Sequence, residues 1–404
     1  MTPSPQLAAL RSSWTAVTPF IHRAADHFRS TLADRLRPPL PEREMPLFLA
    51  TLGHLIAGDD HHAGRTALLA ALAPTYQHLG MQPHHHDLLL DALIATIARH
   101  TSGWTPETAD HWQRHGRHAL NLTHRAATRI GGGPAWTPAE IIDREHAADT
   151  ITILTLRPRR RLRYQAGQAI PVTTLRRPGV WRWYSPANAL RPDGTIELHI
   201  RAITAGPVSP LLAHHTAIGE QLWLGAPYTM GLTLDPNHDG DLLLAAGGTG
   251  LAPLRAIVEH LAANSVRLHS THGTDLILTA GGTGLAPLRA VTEHLAGIRP
   301  RRRVTLVVGA RTMPDLYDSV ALDKLQTTHH DWLTVVPALS NDPLVEPASQ
   351  GDVLTLALQH YQPGQHVFVA GPPDLITHAR LRLPAAGVPA GHLHVAETFT
   401  RHTA

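Results

Sequence analysis

The sequence predicts three domains in series: a helical domain, a small antiparallel β-barrel and an α/β domain built on a parallel sheet. Over the first 130 residues, apolar side chains recur every three or four positions, as in amphipathic helices. From about residue 137 to 231 they alternate along short segments separated by Gly and Pro. From residue 242 onward, apolar strands alternate with helices. A chain of 404 residues has room for these separate cores.

Six helices are predicted in the first domain, residues 1–132. Three of them begin at a proline, where the missing N–H needs no partner (Pro19, Pro83 and Pro106). Gly131–Gly133 with Pro134 ends the domain as a linker. The apolar positions that define the helices include Leu7, Leu10, Trp14, Ile21, Phe28, Phe48, Leu52, Leu68, Leu72, Tyr76, Leu90, Leu93, Trp112 and Leu122.

The second domain, residues 137–232, is predicted as the barrel. One of its strands alternates apolar Ile196, Leu198 and Ile200 with a polar face that carries His199 and Arg201. The third domain, residues 233–404, should hold a ligand at the carboxyl ends of its parallel strands. These predicted strands are Leu242–Ala245, Leu276–Ala280, Val304–Val308, Leu333–Val336 and Val367–Ala370.

The third domain contains a tandem repeat with an offset of 34 residues. The string GGTGLAPLRA occurs at Gly247–Ala256 (copy 1) and at Gly281–Ala290 (copy 2), within units of about 231–264 and 265–298. Each copy predicts a strand, a glycine turn and a helix, so that backbone N–H groups can approach a pyrophosphate. The predicted phosphate contacts are Gly248, Thr249 and Gly250 in copy 1, and Gly282, Thr283 and Gly284 in copy 2.

Composition excludes several kinds of site. With no cysteine, the chain has no disulfide, no thiolate-held iron–sulfur cluster and no cysteine nucleophile. The formal net charge is +3, and the runs Arg157–Arg163 and Arg301–Arg303 are interpreted as solvated turns, with no nucleic-acid partner. Without an apolar segment of bilayer length or a signal region, a cytoplasmic protein with no membrane insertion is expected. The sequence leaves the oligomeric state open.

Two further motifs indicate a flavin, and a third marks the end of the last predicted strand. In Arg182-Trp183-Tyr184-Ser185, the arginine suits a diphosphate, the tyrosine ring suits stacking on an isoalloxazine, and the serine hydroxyl can face a flavin nitrogen. Gly206-Pro207-Val208-Ser209 predicts a short helix that opens against the flavin pyrophosphate. The last predicted strand ends in the tight turn Gly371-Pro372-Pro373.

In order and spacing, these motifs resemble the ferredoxin–NADP reductase family of flavin reductases over about residues 137–400. The resemblance implies an FAD-binding barrel, an NAD(P)H domain, and a reacting flavin ring near Tyr184, Ser185 and Phe399. The FAD contacts are Arg182, Tyr184, Ser185, Gly206 and Ser209, with His199 and Arg201 added from the polar strand face. The nucleotide contacts are the two glycine turns, Gly371, Pro372 and Arg311.

Two positions leave the nucleotide chemistry open. Arg311 could receive a 2′-phosphate, but the chain is so rich in arginine that NADH and NADPH are equally expected. The family usually places a cysteine before G-P-P, where this chain has Ala370. Because hydride passes between the cofactors themselves, this change should affect the rate and not the reaction.

A helical domain ahead of such a reductase resembles a flavohaemoglobin, a family that typically oxidises nitric oxide to nitrate with O₂. Trp14, Phe28 and the stretch Gly103–Pro106 fit its globin part. Two positions at the iron of haem b depart from the family, with Tyr76 as the proximal residue and Arg29 as the distal one.

Three interpretations of the Tyr76 position stay open. Tyr76 is an iron ligand, a core residue of a globin that has lost haem, or a neighbour of a shifted histidine ligand. His78 lies about 200° around the helix from Tyr76 and should not share its face. The run His84-His85-His86 is interpreted as a solvated helix start and not as a metal site.

The leading hypothesis is an enzyme in which NAD(P)H reduces FAD, and FAD passes electrons to globin haem and O₂ for nitric oxide dioxygenation. One alternative is a haem-free NAD(P)H:flavin or quinone reductase with a vestigial globin, and another is a non-catalytic flavin-binding interaction or sensor protein. Only one repeat copy can serve the nucleotide, so the other must add a strand, lie on the surface or stay disordered. The short connection from copy 2 to Val304–Val308 favours copy 2 as the working turn.

Overall fold

A computed structural model describes most of the chain and confirms the predicted fold class: a helical domain, an antiparallel sheet and a domain with parallel strands. The described residues are 5–32, 42–58, 62–130, 136–233, 242–246, 249, 252–253, 256, 276–281, 304–313, 327, 333–342, 344–346 and 349–396. No helix within these ranges is both long enough and apolar enough to cross a bilayer.

The helical domain contains the predicted helices. They are α1 (Pro5–Val17), α2 (Ile21–Leu32), α3 (Met45–Ala57), α4 (His62–His78), α5 (His86–His100) and α6 (Pro106–Ile130). Short 3₁₀ turns with proline in their first positions lead into α2 and α5. Pro74 lies inside α4, near its C-terminal end. A hydrogen bond of 2.9 Å from Trp112 Nε1 to Ser13 Oγ ties α6 to α1.

The second domain is an antiparallel sheet that curls into a barrel-like shape. Its elements are β1 (Thr137–Ala148), β2 (Ile151–Pro158), β3 (Gln168–Thr174), β4 (Arg182–Tyr184), β5 (Ile196–Arg201), α7 (Ser209–His214), β6 (Gln221–Leu224) and β7 (Tyr228–Thr229). The strand order is β4-β3-β6-β1-β2-β5, and β7 pairs with β3. The two end strands approach each other through one bridge, Pro186 to Leu198, where a closed barrel would have a ladder.

The described part of the third domain forms a parallel sheet of six strands. Its elements are β8 (Leu242–Ala246), β9 (Leu276–Gly281), β10 (Val304–Ala310), β11 (Leu333–Leu339), α8 (Val353–His360), β12 (His366–Ala370), α9 (Pro373–Ala385) and β13 (Leu393–Val395). The strand order is β11-β10-β9-β8-β12-β13. Both repeat copies therefore contribute a strand, and the two strands pair directly with each other. The short edge strand β13 was not predicted.

Two tryptophans of the second domain, and the tryptophan just before its first strand, pack into the core of the helical domain. Trp136, Trp181 and Trp223 share one apolar cluster with α3 and α4. The Trp181 Nε1 donates to Thr51 Oγ1 at 3.0 Å, and the Trp136 Nε1 donates to the Ala71 carbonyl at 2.7 Å. Because Trp136 and Trp181 bury large apolar surfaces and also satisfy their N–H groups, the helical domain and the barrel form one packed unit.

We expect Gly179→Ala to destabilise this junction more than Gly194→Ala. Both glycines have positive φ, which costs a side-chain-bearing residue about 1–2 kcal/mol. At Gly194 the nearest atom to an added Cβ is Arg161 Cγ at 3.6 Å, whereas at Gly179 the Cβ would overlap the backbone of Ala50 in α3. The second substitution should therefore cost a further 1–3 kcal/mol or so. Urea unfolding of both variants measures the difference, and equal losses would contradict the close approach of the domains.

Candidate flavin and nucleotide site

The strand β4 presents the first flavin motif at one edge of the barrel. Ile170 pairs with Tyr184 and Val172 with Arg182, so Arg182 and Tyr184 lie on one face of β4 and Trp183 on the other. Trp183 Nε1 donates to Thr66 Oγ1 of α4 at 3.1 Å, which directs the Trp183 face towards the helical domain. Arg182 Nη1 donates to the Trp181 carbonyl at 2.7 Å. Burial raises the pKa of the Tyr184 hydroxyl, and Arg182 opposes that rise, so the phenol is neutral at pH 7.

The second flavin motif is a tight loop between β5 and α7. The Gly206 N–H donates to the Ile203 carbonyl at 2.6 Å, and the Ile203 N–H donates to Ser209 Oγ at 3.1 Å. A Cβ on Gly206 would meet Ser209 Oγ at 2.8 Å and the Ile203 oxygen at 3.0 Å. Only glycine therefore fits this turn without a shift, and the Ser209 hydroxyl holds the loop closed.

Along the chain, the strand β5 lies between these two motifs. Its two predicted contact residues, His199 and Arg201, have different surroundings. His199 is buried, and its Nε2 lies 3.2 Å from Glu197 Oε1, while Glu197 also pairs with Arg191 at 3.0 Å. Arg201, at the end of β5, is exposed. Of the two predicted cofactor contacts on this face, Arg201 is available to a ligand, whereas His199 is engaged in an internal network.

These residues fit an FAD. The bridge from Pro186 to Leu198 brings the end of β4 to β5, and α7 packs against β5 and β2. Tyr184 lies beside Arg182, and the exposed Arg201 lies at the end of the neighbouring strand β5. An aromatic ring and two arginines in this arrangement suit a flavin joined to a diphosphate. Ser185 lies between Tyr184 and this bridge, so the predicted flavin-facing hydroxyl sits at the same end of the barrel.

The nucleotide motifs lie at the carboxyl edge of the parallel sheet. Ala246 of β8 is opposite Ala370 of β12, so the copy 1 turn and the turn Gly371-Pro372 leave neighbouring strand ends. Thr249 in that turn is half-buried. Arg311 follows β10 and is exposed. The predicted contacts Gly248, Gly250, Gly282, Thr283, Gly284 and Phe399 lie outside the described residues.

In the helical domain, the hydroxyl of Tyr76 is bound to a buried histidine. Tyr76 Oη lies 2.7 Å from His86 Nε2, and Asn121 also hydrogen-bonds the His86 ring. Burial raises the pKa of Tyr76 to about 12 and lowers the pKa of His86, with His124 adding to the second effect. Both groups are neutral at pH 7, and the tautomer of His86 determines which of them donates in this hydrogen bond. His86 was expected to be solvated at the start of a helix. That expectation was wrong, because His86 is buried and hydrogen-bonded to Tyr76 in the core.

The fully buried apolar side chains that share a cluster with Tyr76 are closely packed. Tyr76 is 2 % exposed, and the apolar residues that share its core on α3, α4 and α5 are 0–5 % exposed. A porphyrin slot would leave accessible surface on the side chains that line it. These residues include Phe48, Leu52, Leu55, Ile56, Leu72, Leu79, Leu89, Leu93 and Ile97.

The distal position also turns away from this core. Arg29 pairs with Glu42 at 3.5 Å, and its side chain is 43 % exposed, whereas its neighbour Phe28 is buried and stacks near Phe48. His78 is exposed, as its position on the helix predicted. The described residues therefore do not fit a haem bound at Tyr76.

Comparison with known proteins identifies all three domains. Residues 41–121 match the globin family, residues 139–230 match the oxidoreductase FAD-binding domain, and residues 278–381 match the oxidoreductase NAD-binding domain. The reductase component DmpP of phenol 2-monooxygenase from Pseudomonas sp. (strain CF600) is 27 % identical over 237 residues, covering 57 % of this chain and 56 % of that protein. The electron transfer component XylA of xylene/toluene monooxygenase from Pseudomonas putida is 27 % identical over 273 residues, 66 % of each chain. The chain thus spans about 56–66 % of the length of these curated relatives.

Solved structures include similar chains. The flavohemoglobin from Malassezia yamatoensis, with bound FAD and heme, has a TM-score of 0.46 at 15 % identity and covers 98 % of this chain and 99 % of its own. A ferredoxin reductase in carbazole 1,9a-dioxygenase has a TM-score of 0.49 at 24 % identity, covering 68 % of this chain and 72 % of its own. The chain therefore matches, in this order, a globin domain, an oxidoreductase FAD-binding domain and an oxidoreductase NAD-binding domain.

Proposed function

We propose that the chain is an NAD(P)H-dependent flavin reductase whose electrons leave FAD without passing through globin iron. The observation that carries this proposal is the engaged Tyr76 hydroxyl in a filled core. A neutral phenol that is already hydrogen-bonded to His86 is a poor ligand for ferric iron. The globin domain then acts as a structural partner of the barrel, to which Trp136 and Trp181 join it.

Each flavin motif has a distinct task in this proposal. A bound FAD would supply the redox chemistry, namely hydride acceptance from a nicotinamide and onward electron transfer. Arg182 and Arg201 supply the positive charge that holds the diphosphate, and Tyr184 supplies a neutral ring for the isoalloxazine. The loop closed by Gly206 and Ser209 fixes the backbone beside the diphosphate. The predicted roles of Ser185 and Phe399 at the flavin ring belong to the same proposal.

The proposed acceptor is a diffusible molecule such as a quinone or a free flavin. The chain has no cysteine and therefore no thiolate-held cluster of its own to relay electrons. The curated relatives are named as reductase and electron transfer components, which supports an acceptor outside the chain. Nitric oxide dioxygenation, the leading hypothesis from sequence, needs iron in the globin domain and is the competing outcome. A non-catalytic flavin protein is the third.

We expect Tyr76→Phe to leave the reduction of a quinone such as menadione by NADH within twofold of the unmodified chain. Stability should fall by about 1–3 kcal/mol, because His86 loses its buried hydrogen-bond partner. Steady-state turnover and chemical denaturation measure the two effects. Tyr361→Phe serves as the control, since that hydroxyl has no hydrogen-bond partner among the described residues. If turnover of Tyr76→Phe fell more than tenfold, the result would indicate that electrons pass through iron in the globin domain and would contradict the proposal.

A further inference from the structure

An arginine on the first strand of the barrel is hydrogen-bonded to the end of the short helix α7. Arg144 Nη2 donates to the Ala213 carbonyl at 2.7 Å, and Thr152 Oγ1 donates to the same carbonyl at 2.9 Å. We infer that Arg144, together with Thr152, is a positioning residue that holds the loop of Gly206 and Ser209 in place for the diphosphate of FAD. The inference rests on the proposed function and adds residues that lie outside the flavin motifs.

A β-bulge in β1 turns Arg144 towards the interior of the barrel. Between Ile141 and Asp143, β1 gains one residue against β2, and Arg144 then stands opposite Leu154. Residues opposite each other in an antiparallel pair share a face of the sheet, and Leu154 belongs to the barrel core. Without the extra residue, Asp143 would stand opposite Leu154. The bulge therefore presents a cation, and not a carboxylate, to the core face.

The Ala213 carbonyl lies where a helix needs an outside donor. It belongs to the last turn of α7, where carbonyls have no partner within the helix, and Ala213 is fully buried. The neighbouring Leu212 carbonyl accepts a hydrogen bond from Thr216 Oγ1 at 2.7 Å. A positive charge also stabilises the carboxyl end of a helix. Arg144 thus brings both a donor and a cation to this buried helix end.

The stability of the barrel does not by itself account for an arginine at this position. Arg144 Nε is buried and has no hydrogen-bond partner among the described residues. A buried donor without a partner destabilises a fold, so an apolar side chain on this face of β1 would avoid that penalty. The arginine is better explained by the helix that it holds than by the packing of the barrel.

The other end of α7 carries the loop that the proposed function places beside the diphosphate. Ser209 is the first residue of α7, and its Oγ accepts a hydrogen bond from the Ile203 N–H at 3.1 Å. Ser209 and Ala213 are four residues apart, which is about 6 Å along the helix axis. Because a single helical turn moves as one piece, a shift at Ala213 would also move Ser209 and disturb the loop around Gly206.

Two flavins test the inference when they bind to the apoprotein, because FAD carries a diphosphate and riboflavin carries no phosphate. Arg144→Met should weaken FAD binding about tenfold and leave riboflavin binding within about twofold. Arg144→Lys should recover most of the FAD affinity, because Arg144 reaches the carbonyl through one nitrogen and an ammonium can replace that donor. Quenching of flavin fluorescence measures both dissociation constants.

The matched control is Arg161→Met in the same domain, which removes an exposed guanidinium bonded to the Arg191 carbonyl. It should leave the affinities for both flavins unchanged. Equal weakening of both flavins in Arg144→Met, or an unchanged FAD affinity, would overturn the positioning role. A loss of FAD affinity that Arg144→Lys does not recover would also overturn it.

If Arg144→Met does not fold, Thr152→Val decides the question. Loss of the second donor to Ala213 should weaken FAD binding about threefold and leave riboflavin binding unchanged, and equal effects on the two flavins would overturn the inference. The proposed function fails in a different way. An unmodified chain that binds FAD, but whose flavin neither NADH nor NADPH reduces, would contradict the reductase activity and leave this inference intact. A chain that binds no FAD would overturn both.

Discussion

Replacement of Trp181 by alanine should lower the free energy of unfolding by about 3–5 kcal/mol, as expected for truncation of a fully buried indole. Trp181 has no exposed surface, its ring packs 5.6 Å from the ring of Trp136, and its Nε1 donates to Thr51 of α3. The substitution removes apolar contact and also leaves the buried Thr51 hydroxyl without this donor. Denaturant unfolding measures the loss.

A matched control is Trp104→Ala, because Trp104 is only partly buried at the edge of the same core. Its cost should be smaller than that of Trp181→Ala. Limited proteolysis of Trp181→Ala should also cleave between the helical domain and the barrel, at a rate well above that of the unmodified chain. Equal stability losses at the two tryptophans, with no change in cleavage, would contradict a shared core between the domains.

Arg182→Ala should weaken FAD binding by a factor of about 10–100. A hydrogen bond to a charged group contributes about 1.5–3 kcal/mol, and each 1.4 kcal/mol changes Kd about tenfold. Arg182 is fixed on β4 by its bond to the Trp181 carbonyl, so its guanidinium is already oriented when the diphosphate arrives. Quenching of FAD fluorescence on titration with apoprotein measures the affinity.

The control for this prediction is Arg161→Ala, which removes an exposed guanidinium bonded to the Arg191 carbonyl. It lies in the same domain and has the same charge, but it is outside the proposed FAD contacts. Its FAD affinity should stay within twofold of the unmodified chain. An unchanged FAD affinity in Arg182→Ala would show that Arg182 does not bind the diphosphate.

Local sequence patterns were sufficient to predict most of the helices and strands. The helical period located the six helices of the first domain, and apolar runs located β8 to β12. The three-residue strand β13 is too short for a periodic signal. Trp136 and Trp181 could not be assigned to the core of the helical domain, because an apolar pattern does not reveal which distant helix a side chain will contact.

The two repeat copies also show that a local sequence pattern does not reveal long-range contacts. Their turns are identical in sequence, so no local property separates them. Connection length favoured copy 2, but it reports only which strand adjoins β10. The pairing of β8 with β12 is a long-range contact that neither turn reveals by its sequence. Likewise, the position of Tyr76 marked a departure from the haem-binding pattern, but its bond to His86 required the packing of α4 against the start of α5.

The visible spectrum of the purified protein, before and after anaerobic addition of NADH, tests the central claim most directly. We predict flavin bands that bleach on addition of NADH, with no haem Soret band in either spectrum. A Soret band that shifts to the ferrous form on addition of NADH would contradict electron flow that bypasses globin iron. A flavin that stays oxidised under excess NADH would contradict the reductase activity itself.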